Sequence, residues 1–297
     1  MKEFTINSLS EYINIVCSEN NAIKSAGSVA DTLLFRGQAS VKNRLIPSIA
    51  RKKNLSGSEL ICEERNMIEM AKYKLPGIFK KELQPIELLA LLQHHGIPTR
   101  LLDVSENALV GLYFACRNNE LTVDDDGEII VFKHNDYDIA NYPILNALAD
   151  TYKLTGSNNT KLKDFYSNAQ KQNYYTEENL FNMVDDEKAE KIIEDYCNKI
   201  LFIYAPSYSL RQNIQRGRYI LFTNKVNVSS GEAYFERKID EIPKDHSSIV
   251  LRIKIPAKLK ETIRNDLRLL GISKELLFLD NTDMVCQEIA ERIVERI

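Results

Sequence analysis

The fold class is first indicated by the stretch Asp31-Thr32-Leu33-Leu34-Phe35-Arg36-Gly37. It is short, apolar and bounded by turn formers, which predicts a buried β-strand that ends at the glycine. Strand-like runs of similar character recur at 128–132, 200–204, 219–222 and 248–255. Helical patterns lie between these runs, but without the regular alternation of a doubly wound sheet. The sequence therefore predicts an α+β fold with a mixed, mainly antiparallel central sheet flanked by helices.

All 297 residues are interpreted as a single domain, 1–297. Ser8-Leu9-Ser10-Glu11 has the spacing of a capping box, in which a hydroxyl and a carboxylate satisfy backbone donors at the start of a helix. This pattern predicts an N-terminal helix over 8–20.

Two later regions are predicted to be mainly helical. The segment 135–198 is rich in Asn, Lys, Tyr and acidic residues, and its periodicity predicts an insertion that carries helices. Within it, 156–160 has the composition of a mobile loop. C-terminal helices are expected over 257–297, at 257–270 and 283–296.

Composition and charge narrow the function classes. Thirty-nine Lys and Arg residues against 42 Asp and Glu residues leave a net charge of −3, which excludes nucleic-acid binding through bulk charge but not a local basic site. The chain lacks a long apolar run and a secretory signal, so a cytoplasmic location and no membrane partner are expected. Five scattered cysteines without C-x-x-C spacing predict reduced thiols. Four histidines at these spacings predict no metal site.

Arg36 and Gly37 form the first candidate site. An arginine that closes an apolar strand must pair with a carboxylate or keep its guanidinium in a cleft, because a buried unpaired charge is very costly. A glycine directly after it tolerates unusual backbone and allows a ligand to approach closely. Both a structural salt bridge and a contact with an anion or phosphate fit the residues.

The second candidate is Gln93-His94-His95-Gly96-Ile97-Pro98-Thr99-Arg100-Leu101-Leu102-Asp103. It follows a helix predicted to end at the histidines, and Ser105 is predicted to cap the next helix. In one interpretation, the histidines cap helix carbonyls and Arg100 pairs with Asp103 or another acidic residue. In the other, the cluster is a binding site. Adjacent helical residues point in different directions, so at most one of His94 and His95 is expected to face a ligand.

The third candidate is Arg211-Gln212-Asn213-Ile214-Gln215-Arg216-Gly217-Arg218. Three arginines in eight residues make a local cationic patch. A solvated basic turn and a loop that faces phosphate both fit this pattern, and Gln215 would be presented near a strand edge.

These motifs carry a family resemblance. Phe35-Arg36-Gly37, the block from Gln93 to Asp103 that runs on to 108–115, and Arg211 with Gln215-x-Gly217 resemble the FRG domain family. The resemblance extends over about 30–285 and is weakest in 135–198. It implies that the single domain is of the FRG type. The genes that neighbour such domains imply a bacterial role in phage defence or in toxin systems.

The order of the elements is also similar to the ADP-ribosyltransferase pattern, which is an analogy of fold. By this analogy, Arg36 would bind the phosphates or the nicotinamide ribose of NAD, and Thr99 or Ser105 would support the nicotinamide pocket. Gln215 would stand where such enzymes have a glutamate. A neutral amide cannot stabilise a cationic oxocarbenium-like transition state as a carboxylate does, which argues against catalysis by Gln215. Asp103 is the alternative carboxylate.

The leading hypothesis is a cleft that binds NAD or a related nucleotide as substrate, with no permanently bound cofactor, for ADP-ribosyltransferase or NAD-glycohydrolase chemistry. The alternative is a non-enzymatic module for a phosphorylated ligand, a nucleic acid or a partner protein. In a third interpretation, Arg36, Arg100 and Asp103 form a buried ionic core with a structural role only. The first hypothesis assigns catalytic roles to Arg36, Asp103 and Gln215, and ligand binding to His94, His95, Thr99, Arg100, Ser105 and Arg211.

Overall fold

A computed structural model describes residues 1–25, 31–53, 57, 59–117, 122, 124–135, 143–155, 160–172, 186–205, 210–229 and 231–278. The strands are β1 (Lys2–Thr5), β2 (Asp31–Gln38), β3 (Leu101–Ser105), β4 (Gly127–Asn135), β5 (Thr160–Lys161), β6 (Leu201–Ile203), β7 (Gly217–Leu221), β8 (Val226–Ser229), β9 (Glu232–Phe235) and β10 (Ile249–Ile255).

The helices are α1 (Leu9–Ser25), α2 (Ser48–Arg51), α3 (Glu64–Lys74), α4 (Pro85–His94), α5 (Ala108–Ala115), α6 (Pro143–Ala149), α7 (Thr151–Leu154), α8 (Leu162–Lys171), α9 (Asp186–Cys197), α10 (Leu210–Ile214), α11 (Lys260–Leu269) and α12 (Lys274–Leu277). Short 3₁₀ turns, Leu60–Glu63 and Ala257–Leu259, lead into α3 and α11.

The central sheet has the strand order β1-β10-β4-β2-β3-β7-β6. Its β1–β10 pair is parallel and the other neighbouring pairs are antiparallel. A smaller antiparallel sheet has the order β5-β9-β8. Helices flank the central sheet, so the predicted α+β class with a mixed, mainly antiparallel sheet is confirmed.

Alternate strand residues supply apolar clusters on the two faces of the central sheet. Leu34 of β2 and Leu102 of β3 belong to one cluster, which includes residues of α2. Leu33 and Phe35 of β2 pack with α1, α5 and α11 in a second cluster. Leu101 of β3 packs with α4, α6 and α8 in a third. The last two clusters therefore cover different parts of the face opposite the first one.

Several predicted boundaries differ from the observed ones. The helix expected over 8–20 extends to Ser25. The insertion at 135–198 contains α6 to α9 in its described part, together with the short strand β5, which was not predicted. Of the predicted loop 156–160, residues 156–159 lie outside the described residues, as does the predicted helix 283–296.

Strand β1 was also missed, because its four residues are all exposed and carry no apolar run. No helix in the described part of the chain is long and apolar enough to cross a membrane.

Candidate functional site

A cavity of about 400 Å³ opens where β2 and β3 meet. Helices α4, α5 and α10 and the start of β7 complete its walls. Its described lining residues are Phe35, Arg36, Gly37, Ala39, Gln93, His94, Asp103, Val104, Ser105, Val110, Gly111, Phe114, Arg117, Arg211, Gln212, Gln215, Gly217 and Tyr219. All three polar segments singled out in the sequence therefore contribute to one concave site.

The space arises because β2 and β3 separate within the sheet. The two strands pair at one position, Phe35 with Ser105. Beyond this position β2 continues its pairing with β4 as far as Gln38, while β3 pairs along its whole length with β7. The residues that follow Phe35 on β2 and precede Ser105 on β3 therefore face a gap, which Arg36 spans.

Gly37 holds helix α5 close to strand β2. A Cβ atom at Gly37 would lie 1.9 Å from the carbonyl oxygen of Gly111 and 2.7 Å from the backbone nitrogen of Ala115. The backbone of Gly37 is not in the left-handed region. The glycine is thus required by the close contact of helix and strand, which differs from the predicted need for unusual backbone. As a result, Val110, Gly111 and Phe114 line the cavity.

Arg36 is largely buried, with 18% of its side chain exposed. Its Nη1 donates to the backbone oxygen of Asp103 at 2.9 Å and lies 3.9 Å from the Asp103 Oδ2. The buried Nε has no hydrogen-bond partner. Burial lowers the pKa of Arg36, an effect that Asp103 opposes, but a guanidinium remains charged in proteins. Arg36 therefore presents a fixed cation with an unused donor.

Asp103 is held in place by a chain of polar side chains. Its carboxylate is 64% exposed, and its Oδ1 accepts a hydrogen bond of 2.8 Å from Nε2 of Gln93. The hydroxyl of Thr99 donates to Oε1 of Gln93 and accepts from the backbone nitrogen of Leu101. Thr99 is buried and does not line the cavity. Thr99 thus lies behind Gln93. Its hydroxyl fixes the orientation of the Gln93 amide, and that amide in turn orients the carboxylate of Asp103.

Ser105 lines the cavity as the last residue of β3. Its hydroxyl donates to the backbone oxygen of Gln215 at 2.6 Å and accepts from the backbone nitrogen of Asn107. It does not cap α5 as predicted, because Asn107 is the N-cap and accepts from the nitrogens of Leu109 and Val110. Ser105 instead ties β3 to the segment that follows α10.

Arg211 and Gln215 reach the cavity from α10 and the turn after it. Nε2 of Gln215 donates to the backbone oxygen of Leu277 at 2.8 Å. The guanidinium of Arg211 stands over the ring of Phe278, 4.5 Å from its centroid. Both residues are therefore braced by α12 and the residue after it.

Besides Thr99, two more predicted site residues do not line the cavity. Arg100 is 1% exposed and does not line the cavity. Its Nε donates to Oε1 of Glu64 at 2.8 Å, and a second contact joins Nη2 to Oε2 of the same carboxylate. This corrects its predicted ligand-binding place: the buried charge is satisfied by a carboxylate, as the alternative interpretation expected. His95 stacks edge-on against Phe79, whereas His94 lines the cavity.

The charged side chains of the described lining are mainly cationic. Arg36, Arg117 and Arg211 contribute three positive charges, and Asp103 is the one carboxylate among these lining residues. Burial, together with the Asp103 carboxylate, raises the pKa of Tyr219, so its hydroxyl stays protonated. Among the described residues no group of three His, Cys, Asp or Glu side chains could hold a metal ion. The arrangement thus places the hydrogen-bond donors of three arginines around the cavity, with one carboxylate among them.

Sequence reasoning assigned no role to several lining residues. Gln93 stood in the polar cluster, and its contact with Asp103 could have been suspected only from that density. Arg117 follows the apolar helix α5, and Phe114 and Tyr219 belong to ordinary apolar patterns. Their periodicity is that of core residues, so no local signal distinguishes them.

Comparison with known proteins identifies the segment that builds most of this site. Residues 31–123 match the family model of the FRG domain. Thirteen of the 18 described lining residues fall inside that segment, and the other five come from 211–219. No curated protein and no solved structure matches the chain. The chain therefore contains an FRG domain at 31–123, and this domain supplies most of the described cavity wall.

Proposed function

We propose that the cavity binds a phosphorylated small molecule of the nucleotide class, with NAD as the first candidate. The observation that carries this proposal is the convergence of Arg36, Arg117 and Arg211 on one cavity that has a single carboxylate among its described lining residues. Guanidinium groups form paired, charge-assisted hydrogen bonds with phosphate oxygens.

The size and the apolar part of the lining support the same class of ligand. A volume of about 400 Å³ falls in the range of small-molecule sites. Phe35, Phe114 and Tyr219 supply aromatic surface beside the arginines. A ligand that joins phosphate to a flat ring system would use both parts, whereas inorganic phosphate would use only the first.

Binding and turnover depend on different residues. Binding follows from the arginines. Hydrolysis of the nicotinamide–ribose bond of NAD, in which water replaces nicotinamide, would need a carboxylate to stabilise positive charge at the ribose carbon. Gln215 is neutral and its amide donates to the Leu277 backbone, so Asp103 is the residue on which such turnover would rest.

The test is thermal unfolding of the purified chain with NAD, ADP-ribose, ADP, AMP or inorganic phosphate at millimolar concentration. A ligand at a hundred times its Kd stabilises the folded state by about 2.7 kcal/mol, which gives a clear rise in Tm. R36A and R211A are expected to remove the shift. R268A is the matched control, because Arg268 is exposed on α11 and does not line the cavity.

No shift with any adenine nucleotide would contradict the proposal. Binding to a DNA or RNA oligonucleotide that weakens steeply with salt, without a shift by nucleotides, would favour the nucleic-acid module instead. Turnover is measured separately, as nicotinamide released from NAD. If the chain hydrolyses NAD, D103N is expected to abolish release while the Tm shift persists.

A further inference from the structure

Phe278 contacts two arginines of the cavity without being one of its described lining residues. Its ring centroid is 4.5 Å from the guanidinium carbon of Arg211 and 5.5 Å from that of Arg117. The ring is 2% exposed and also meets Phe114 edge-on, with 6.2 Å between ring centroids. The negative face of an aromatic ring attracts cations at these distances. One ring therefore contacts both arginines, which come from separate parts of the chain.

The segment that carries this ring is held by hydrogen bonds and apolar packing. Ser273 caps α12 by accepting a hydrogen bond from the nitrogen of Leu276. Leu277 is fully buried in the cluster shared with α5, and its backbone oxygen accepts the hydrogen bond from Gln215. Phe278 follows directly. Its position is thus set by the buried Leu277 before it and by the contact of its ring with Phe114.

The three arginines occupy two depths of the cavity. Arg36 is largely buried at the gap between β2 and β3, and is bonded to Asp103. Arg117 is exposed and Arg211 half-buried, and both are within cation–π distance of Phe278. Two guanidinium groups near one ring repel each other, and an anion that contacts both offsets that repulsion. The lining thus offers one inner anion position and one outer position.

We infer that Phe278 is a positioning residue, which holds Arg117 and Arg211 as a pair for the second phosphate of a diphosphate-containing nucleotide whose first phosphate lies at Arg36. The inference rests on the proposed function and names its ligand class more narrowly. A nucleoside monophosphate would occupy one of the two positions. A nucleoside diphosphate or a dinucleotide would occupy both, and its affinity would depend on the ring of Phe278.

The experiment is calorimetric titration of AMP and ADP into the wild type, F278L and F278Y. Leucine keeps the apolar contact but has no ring, whereas tyrosine keeps the ring. We expect the wild type to bind ADP at least about tenfold more tightly than AMP. F278L is expected to lose roughly tenfold in ADP affinity and less than about threefold in AMP affinity, and F278Y to retain the wild-type ratio.

Matched variants separate positioning from folding. Phe165 is a fully buried phenylalanine of α8 that stacks on Phe235 outside the cavity, so F165L makes the same change in another part of the core. F165L should keep the ADP-to-AMP ratio. Should F278L fail to fold, R117A tests the same pair, since Arg117 is exposed and its removal leaves the core intact. R117A should reduce the preference for ADP over AMP to the same extent as F278L.

Equal affinity of the wild type for AMP and ADP would overturn the inference and leave nucleotide binding standing. So would an unchanged ratio in folded F278L, or an equal loss in F278L and F278Y. A wild type that binds neither these nucleotides nor NAD would contradict the proposed function itself, and with it the inference.

Discussion

Nε2 of Gln93 donates to Oδ1 of Asp103 at 2.8 Å, which joins the last turn of α4 to the middle of β3. Because Thr99 donates to Oε1 of the same amide, the orientation of the amide is fixed: its nitrogen faces the carboxylate. The other carboxylate oxygen lies 3.9 Å from Nη1 of Arg36. A series of polar contacts thus connects the buried hydroxyl of Thr99 to the guanidinium of Arg36.

A negative charge at position 93 should weaken ligand binding, because it adds to the charge of Asp103 beside the arginines. In Q93L the carboxylate loses its fixed orientation, and in Q93E a second negative charge is placed beside it. We expect Q93E to reduce the affinity for NAD more than Q93L does, by about 1–3 kcal/mol, since it adds repulsion of the phosphates to the loss of one hydrogen bond. Calorimetric titration measures both variants. Wild-type affinity of Q93E for NAD would show that the hydrogen bonds from Thr99 through Gln93 to Asp103 have no effect on ligand binding.

Replacing Gly37 by alanine should destabilise the fold. The new Cβ would meet backbone atoms of α5, the Gly111 oxygen at 1.9 Å and the Ala115 nitrogen at 2.7 Å, and backbone cannot move aside as a flexible side chain can. We expect a loss of about 3 kcal/mol or more in the free energy of unfolding. Urea denaturation measures the loss.

The control for this change is G77A. A Cβ at Gly77 would meet nothing within 4 Å, and its backbone is not in the left-handed region. Its free energy of unfolding should stay within about 0.5 kcal/mol of the wild type. Equal stability of G37A and G77A would mean that α5 does not approach β2 as closely as described.

The ion pair of Arg100 and Glu64 should act on stability rather than on binding. In R100M the carboxylate of Glu64 would remain buried without its cation, which typically costs about 3–5 kcal/mol. The double variant E64L/R100M removes both charges and should recover much of this loss. Chemical denaturation measures stability, and titration of the folded variants should give the wild-type nucleotide affinity. A folded R100M that no longer binds nucleotide would instead return Arg100 to the site.

The sequence predicted much of the central sheet because its strands are unusually apolar. Strands β2 and β4 carry runs that are buried on both faces, and such runs are recognisable without knowledge of their neighbours. Strand β10 instead alternates buried and more exposed residues, which is the pattern of a strand with one buried face. The end of helix α4 at the histidines was predicted correctly, because Pro85 in its first turn and Gly96 after its end are local signals. The start of α5 was misplaced by local reasoning, because pairing of β3 with β7 extends the strand to Ser105 and leaves Asn107 as the cap.

Site residues were predicted only where polar side chains cluster in the sequence. Arg36, His94, Asp103 and Gln215 were noticed because polar residues there exceeded what periodicity requires. Arg100 carried the same signal, but its partner Glu64 lies 36 residues away, and nothing in the sequence relates the two. The contacts of Phe278 with two distant arginines are non-local in the same way. Spacing along a chain cannot report a contact that only the fold creates.

The cysteines should divide by burial in their reaction with thiol reagents. Burial raises the pKa of the Cys116 thiol to about 12, although Arg264 and Lys260 oppose the shift. Cys17 and Cys62 are exposed. At pH 8 we expect iodoacetamide to label Cys17 and Cys62 in the native chain and to label Cys116 only after unfolding, because the thiolate is the reactive form. Mass spectrometry of tryptic peptides measures each site.

The same shift has a consequence for stability at high pH. Because the pKa of Cys116 is raised in the folded state, its contribution is complete below the ordinary value of 9.0 and is lost as the pH rises towards 12. C116A, which cannot ionise, should therefore lose less stability than the wild type between pH 9 and pH 11, in buffers of equal ionic strength. Labelling of Cys116 in the native chain at the rate of Cys17 would show that this thiol is not buried. Identical pH dependence of the free energy of unfolding in C116A and the wild type would show the same.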